Sequence, residues 1–296
     1  MRAKTSLHIF LIAAMIACAS FADDKASKEG ATWSAEVTAA VVGFKVPECV
    51  LFNKADEMVY VSNVESAPEA YWKDDAKGHI SLLDADGGVV DQRWVDSAPE
   101  MVLHGPKGMC VLGDTLYFTD NTRLMSCVAK TGGEVRIVAE GFKQANDLAT
   151  DGTSVWVSDT LAGRVFAVSP DGERREIPSP KSVNGLAFHG DKLFCVSWDL
   201  HEVYELDPSG KAAPVSFGLA KHFTNLDGIE VLDDGTIIVS DFMGNQICTV
   251  SPDRKTVEKL IDIESPADIG LDRERGLLGV PQFMKDTVVF LKLKKQ

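Results

Sequence analysis

The sequence predicts an all-β fold, a six-bladed β-propeller, and three observations predict it. A unit of roughly 40 residues recurs six times, and each unit holds short strand-like runs separated by turn clusters. No segment carries a long apolar period of about 3.6 residues, so amphipathic helices are absent from the pattern. The composition agrees: 296 residues, 45% hydrophobic and 25% charged, exclude wholesale disorder and a collagen-like fibre.

Each unit opens on a short apolar strand. The openings are Glu48-Cys49-Val50-Leu51, Lys107-Gly108-Met109-Cys110, Asn146-Asp147-Leu148-Ala149, Asn184-Gly185-Leu186-Ala187, Asp227-Gly228-Ile229-Glu230 and Ala267-Asp268-Ile269-Gly270. Their first residues are 59, 39, 38, 43 and 40 positions apart. A turn cluster such as Asp151-Gly152 or Asp233-Asp234-Gly235 follows. The second strands then repeat in step: Val59–Asn63, Leu116–Asp120, Val155–Asp159, Phe194–Trp198, Ile237–Asp241 and Leu277–Pro281. Third strands are read at His79–Asp84, Arg123–Ala129, Arg164–Ser169, Glu202–Asp207, Gln246–Ser251 and Thr287–Leu293. A weaker fourth strand is legible in five units, as at Glu134–Ala139 and Val257–Ile261. Their β-branched and aromatic content favours strands over helices.

The sixth unit runs out of chain after three strands. The apolar stretch Glu36–Val42 ahead of the first unit is expected to supply its outer strand, closing the ring and removing an exposed edge. The long first interval has a visible cause, a loop over Val64–Gly78 containing Pro68, Tyr71 and Trp72. Loops of this length are functional or disordered, and the aromatics point to a packed lid.

The segment before the ring is read as a signal peptide, residues 1–22, with residues 23–296 forming one propeller domain. Arg2 and Lys4 precede an apolar run from Leu7 to Ala17, and Ser20-Phe21-Ala22 fits a small-x-small cleavage site. The run is about half the length that spans a bilayer, and no other apolar run is long enough, so no integral membrane segment is expected. The protein is expected to be exported, periplasmic or secreted. Cys18 raises lipoprotein anchoring as an alternative, although the usual leucine three residues earlier is missing.

The net charge is -14, from 30 basic and 44 acidic residues. So acidic a chain repels phosphate backbones, which argues against nucleic acid as a partner. Cys49, Cys110, Cys127, Cys195 and Cys248 all sit in apolar runs with no C-x-x-C spacing, which reads as buried free thiols. His104 and His222 precede ring positions and are expected to edge the mouth. His79, His189 and His201 fall on strand starts or turns and are expected at the surface. Gly-x-Ser-x-Gly does not occur, so a nucleophile elbow has no support.

In a propeller the first strand of every blade lines the central channel. The unit openings therefore gather Glu48, Lys107, Asn146, Asn184, Asp227 and Ala267 at one mouth, with Asn63, Asp120, Asp159, Trp198, Asp241 and Pro281 in a wider ring. Two carboxylates and two carboxamides offer only oxygen, which suits a hard divalent cation such as calcium better than a zinc site of Cys and His. Capping of strand starts and turn hydrogen bonds is the alternative use of such residues.

With these residues in place, the chain resembles the regucalcin/gluconolactonase-like propellers, the senescence marker protein family. The resemblance covers nearly all of residues 23–296. It rests on Pro47-Glu48, Asn146-Asp147, Asn184-Gly185-Leu186-Ala187 and Asp227-Gly228-Ile229, in order and in repeat. It implies a divalent metal held by Glu48, Asn184 and Asp227, with Asn146 completing the site or contacting substrate. Calcium is the first expectation, with zinc, magnesium or manganese as alternatives. Paraoxonase and diisopropyl fluorophosphatase look like more distant relatives with a similar centre. Two positions depart from the pattern. Gln144 stands where sugar-lactone members carry a substrate-gripping arginine. Lys107 occupies the second-unit slot, where it would pair with Glu48 or Asp227, bind a substrate carboxylate, or point into solvent.

Two functions are compatible with this reading. One is a metal-dependent hydrolase of a small-molecule lactone or ester. The metal would polarise the carbonyl, Asp227 would take a proton from water, and Asn146, Lys107 and Gln144 would contact substrate. The other is a non-catalytic propeller that binds a ligand or protein, with a structural ion or none. The sequence leaves the oligomeric state open.

Overall fold

In a computed structural model of the chain, residues 32–296 are described, and they form six four-stranded antiparallel sheets arranged as the blades of a propeller. The predicted signal peptide, Cys18 included, lies outside the described residues. Blade 1 comprises Pro47–Asn53, Met58–Asn63, His79–Leu83 and Val89–Val95. Blade 2 comprises Pro106–Leu112, Thr115–Asp120, Arg123–Val128 and Arg136–Glu140. Blade 3 comprises Ala145–Thr150, Val155–Asp159, Arg164–Val168 and Arg174–Pro178. Blade 4 is Val183–His189, Lys192–Ser197, Glu202–Leu206 and the two-residue strand Val215–Ser216. Blade 5 is Leu226–Val231, Ile237–Asp241, Gln246–Val250 and Val257–Asp262.

Blade 6 joins the two ends of the chain. Gly270–Asp272, Leu277–Gln282 and Thr287–Lys295 are completed by Trp33–Val42, which runs antiparallel to the last strand from Trp33 opposite Lys295 to Val42 opposite Thr287. The predicted closing strand is therefore present and starts three residues earlier than read. The inner strand of this blade starts at Gly270 rather than Ala267. Pro281 stands in the second strand opposite this segment. It accepts from the Ala267 N–H through its carbonyl and has no N–H to return, so the ladder is cut short.

The core lies between blades rather than inside one layer. Six buried apolar clusters fill the six wedges, each drawing on two neighbouring blades. Strand Val155–Asp159 shows why its sequence is apolar without alternation: Val155 and Val157 face the wedge toward blade 2, while Trp156 faces the wedge toward blade 4. A sheet covered on both faces has no solvent side to mark with polar residues. The five cysteines of the described residues are buried free thiols in these wedges, as expected. Among the described residues no helix is long and apolar enough to cross a membrane.

One surface expectation is corrected. His79 is buried, not exposed, with Nδ1 3.1 Å from Glu65 Oε2. Burial and the nearby Arg93 guanidinium hold its pKa below the usual imidazole value against the opposing pull of Glu65.

Candidate metal centre at the channel mouth

The mouth is built from a β-bulge repeated in five blades. The register between first and second strands slips between Pro47 and Val50, Pro106 and Met109, Ala145 and Leu148, Val183 and Leu186, and Leu226 and Ile229. Each slip contains two residues. The first is Glu48, Lys107, Asn146, Asn184 or Asp227, and all five line one cavity of about 650 Å³. A bulge re-aims a side chain and leaves its backbone groups to be satisfied elsewhere. Here second-strand hydroxyls do so: Ser62 Oγ accepts from Cys49 N at 2.9 Å, Ser158 Oγ from Asp147 N at 2.9 Å, and Ser240 Oγ from Gly228 N at 2.7 Å.

The second bulge residue is glycine in three blades because adjacent inner strands nearly touch around the axis. A Cβ on Gly185 would lie 2.5 Å from the Asp227 carbonyl oxygen, and one on Gly228 would lie 2.6 Å from Ile269 N. Blade 3 instead places Asp147 there. Its Oδ1 accepts from Leu148 N and its Oδ2 from Leu186 N, both at 2.6 Å. It also hydrogen-bonds the Asp268 carboxyl. This buried carboxyl pair was not singled out from the sequence, although both members stand in the repeated openings.

The wider ring serves the loops. Asp120 Oδ1 accepts from the His104 and Gly105 N–H groups, Asp159 from Lys143 and Gln144, and Asp241 from Thr224 and Asn225. These carboxylates fix the segments leading into the inner strands. Trp198 departs from that pattern and forms part of the cavity wall.

The four predicted metal ligands are brought together and buried. Asn146 Nδ2 donates to Asn184 Oδ1 at 2.7 Å and to Thr160 Oγ1 at 3.2 Å, leaving Asn146 Oδ1 as its remaining oxygen. Against the larger upward push of burial, the Asn184 carboxamide pulls the Asp227 pKa down. Glu48 Oε2 is buried with no hydrogen-bond partner among the described residues. Burial, then the charge of Asp227, pushes the Glu48 carboxyl well above its usual range, and burial brings Asp227 up to about 7.

An orphaned carboxylate oxygen beside a second buried carboxyl is short of positive charge, even with the Lys107 ammonium pulling the Glu48 pKa down. Two carboxylates and two carboxamides fit a divalent cation that takes oxygen ligands. Among the described residues no group of three or more His, Cys, Asp or Glu side chains is arranged to hold an ion, so the carboxamides are essential to this candidate.

Lys107 does not point into solvent and makes no ion pair with Glu48 or Asp227 within 4 Å. Its Nζ donates to the Gly105 carbonyl at 2.9 Å and to Asn121 Oδ1 at 2.8 Å. Trp72 of the Val64–Gly78 loop lies over it. Asn121 Nδ2 donates to the Lys73 carbonyl at 2.9 Å, and the Ala76 N–H donates to His104 Nδ1 at 3.1 Å. The loop is therefore the packed lid expected from its aromatics. Burial lowers the Lys107 pKa to about 8 against the raising pull of Glu48 and other carboxylates. Gln144 lines the same cavity, whereas His104 and His222 do not.

Sequence reading missed the apolar side of the mouth. Tyr71, Trp198, Phe242 and Phe283 form a run of touching rings, with centroids 5.0 Å apart for Tyr71–Phe283, 5.6 Å for Phe283–Phe242 and 5.4 Å for Phe242–Trp198. The signal was present as the pairs Phe242-Met243 and Phe283-Met284, each two residues or fewer past a second strand.

Comparison with solved structures supports the fold. A gluconolactonase-like propeller is 19% identical with a TM-score of 0.66, covering 90% of this chain and 94% of that one. The virginiamycin B lyase of Staphylococcus aureus is 12% identical with a TM-score of 0.59, covering 88% and 99%. An auxiliary nutrient binding protein of Bacteroides thetaiotaomicron is 13% identical with a TM-score of 0.67, covering 90% and 77%. No protein-family model matches the sequence, and no curated protein matches it.

Proposed function

We propose that the chain is an exported hydrolase that opens a lactone or ester with the help of one divalent cation, calcium first. The observation that carries this reading is the unpartnered, buried Glu48 Oε2 facing a mouth floored by Asp227, Asn184 and Asn146. Glu48, Asn184, Asp227 and the free oxygen of Asn146 would hold the cation. When bound, such an ion polarises a carbonyl oxygen and stabilises the charge that develops on it.

The chain's own residues then have distinct tasks. Asp227 takes a proton from the attacking water at its carboxylate oxygen. Asn146 is fixed by its two amide hydrogen bonds and so orients a substrate oxygen without reorganising. Gln144 contacts the substrate's polar end from the wall, and Lys107, held under Trp72 by Gly105 and Asn121, adds positive charge behind it. The lid over Lys107 limits water at the floor. Gluconolactonase-like and lyase neighbours on this fold support a propeller enzyme as the class.

Metal analysis of purified protein, paired with a screen of lactones and aryl esters, tests the reading. Stoichiometric calcium with turnover that chelator abolishes is the expected result, and metal-free protein with full turnover would overturn the metal role. A ligand-binding propeller is the second reading, favoured by the engagement of Asn184 Oδ1 with Asn146. It predicts ligand affinity without turnover on any member of the screen.

A further inference from the structure

The turn between the second and third strands sits at the mouth in every blade, and in five of the six it presents large apolar side chains. Blade 3 offers Leu161, blade 4 Trp198, blade 5 Phe242-Met243, blade 6 Phe283-Met284, and blade 1 the lid pair Tyr71-Trp72. Blade 2 alone has a tight polar turn, Asn121-Thr122, and the lid's Trp72 leans over that sector onto Lys107.

Three of these residues are conspicuously exposed: Leu161 at 64%, Met243 at 57% and Met284 at 56%. They come from three different blades yet border one cavity. An apolar rim gathered this way marks a binding surface rather than scattered exposure.

Two hydroxyls across the cavity are already engaged. Thr160 Oγ1 donates to the Val183 carbonyl at 2.8 Å while accepting from Asn146, and Ser182 Oγ bonds Asp199 Oδ2 at 2.6 Å. A hydroxyl-rich sugar ring would meet an aromatic wall on one side and, beside Thr160 and Ser182, hydroxyls whose hydrogen bonds are already made. Its hydroxyls would lose water without equivalent replacement.

We infer that this site selects esters or lactones bearing an alkyl or aryl substituent, which lies along the Trp198–Phe242–Phe283–Tyr71 arc while the carbonyl sits on the polar floor. The cavity of about 650 Å³ has the size of a small-molecule site. Which bond is cleaved rests on the hydrolase reading above; the apolar selectivity rests on the wall.

The test uses γ-alkyl-γ-lactams, which mimic lactones and resist hydrolysis, titrated by calorimetry into calcium-equilibrated protein. Dissociation constants should fall by up to about fourfold per added methylene from ethyl to hexyl. The double variant Met243→Ser/Met284→Ser should weaken the hexyl compound by about tenfold or more and barely affect the ethyl one. Val215→Ser, an equally exposed apolar position on an outer strand, should change neither. A flat series, or a polyhydroxylated lactam that binds as tightly as the hexyl compound, overturns the inference. A chain-length slope in binding, with no turnover of the matching lactones, sustains the inference and removes the hydrolase reading.

Discussion

The Nζ of Lys107 lies 4.2 Å from the centre of the Trp72 ring, joining the inner strand of blade 2 to the lid of blade 1. A buried ammonium under an aromatic face contributes about 0.5–2 kcal/mol to that closure. With Asn121 linking Lys107 Nζ to the lid backbone, one side chain holds the lid at two points.

Lys107→Met keeps the apolar stem and removes both attachments. The lid should open more often while the ring stays folded. Limited trypsin digestion, read at the exposed lid residues Lys73 and Lys77, should proceed severalfold faster in the variant than in the wild type. Equal cleavage rates would mean that the remaining lid contacts suffice.

Cation binding should stabilise the folded protein. An ion at a hundredfold excess over its dissociation constant adds about 2.7 kcal/mol. Thermal melts should therefore rise with calcium and fall with chelator. Glu48→Gln removes the unpaired buried charge, so the variant should melt higher than the chelated wild type at neutral pH and no longer respond to calcium. A calcium response of wild-type size in Glu48→Gln would exclude Glu48 as a ligand.

The Asp147–Asp268 pair makes stability depend on pH. Burial raises Asp147 to about 6, and burial with the charge of Asp147 lifts Asp268 well above the usual carboxylate range. A carboxyl whose folded pKa is raised contributes stability that is full below its unfolded value near 4 and is lost as pH rises through the folded value. Stability should decline as pH rises from about 4 through 6 and beyond. Asp268→Asn replaces the protonated partner by a neutral one, so its melting temperature should exceed that of the wild type at pH 8 and depend less on pH. A steeper decline in the variant would contradict this assignment.

Packing at the axis sets the fourth expectation. Gly185→Ala would press a methyl group against the Asp227 carbonyl, and backbone on both sides leaves little room to move. Overpacking of this kind costs about 1–3 kcal/mol. Because the strain falls on the residue that carries Asp227, the calcium-induced rise in melting temperature should shrink as well. Denaturant unfolding with and without calcium measures both effects.

Repeats made the ring legible because each blade repeats one local pattern, down to the Ser-Asp pair that ends a second strand in Val155–Asp159 and Ile237–Asp241. The positions of Glu48, Asn146, Asn184 and Asp227 at one mouth followed from that periodicity. Ala267 did not fit as read, since Pro281 cannot complete the ladder beside it. Long-range relations were invisible. Nothing local in the sequence reveals that Trp72 crosses to Lys107, that Glu65 reaches back to His79, or that rings from blades 1, 4, 5 and 6 touch in a row. Those depend on where a lid lands and how blade edges meet, which a repeat does not encode.

The closing strand Trp33–Val42 meets the last strand, Thr287–Lys295, near opposite ends of the polypeptide. Synthesis therefore delivers one half of the seam before blade 1 and the other half after blade 5. Blades 1 to 5 can assemble on the nascent chain, but the circle stays unlatched until Thr287–Lys295 emerges. Until then the wedge between blades 6 and 1, which buries Phe44, Val59 and Phe290, has no second wall. The seam is thus the last contact of the ring to form during synthesis, and until it forms the blades make an open arc.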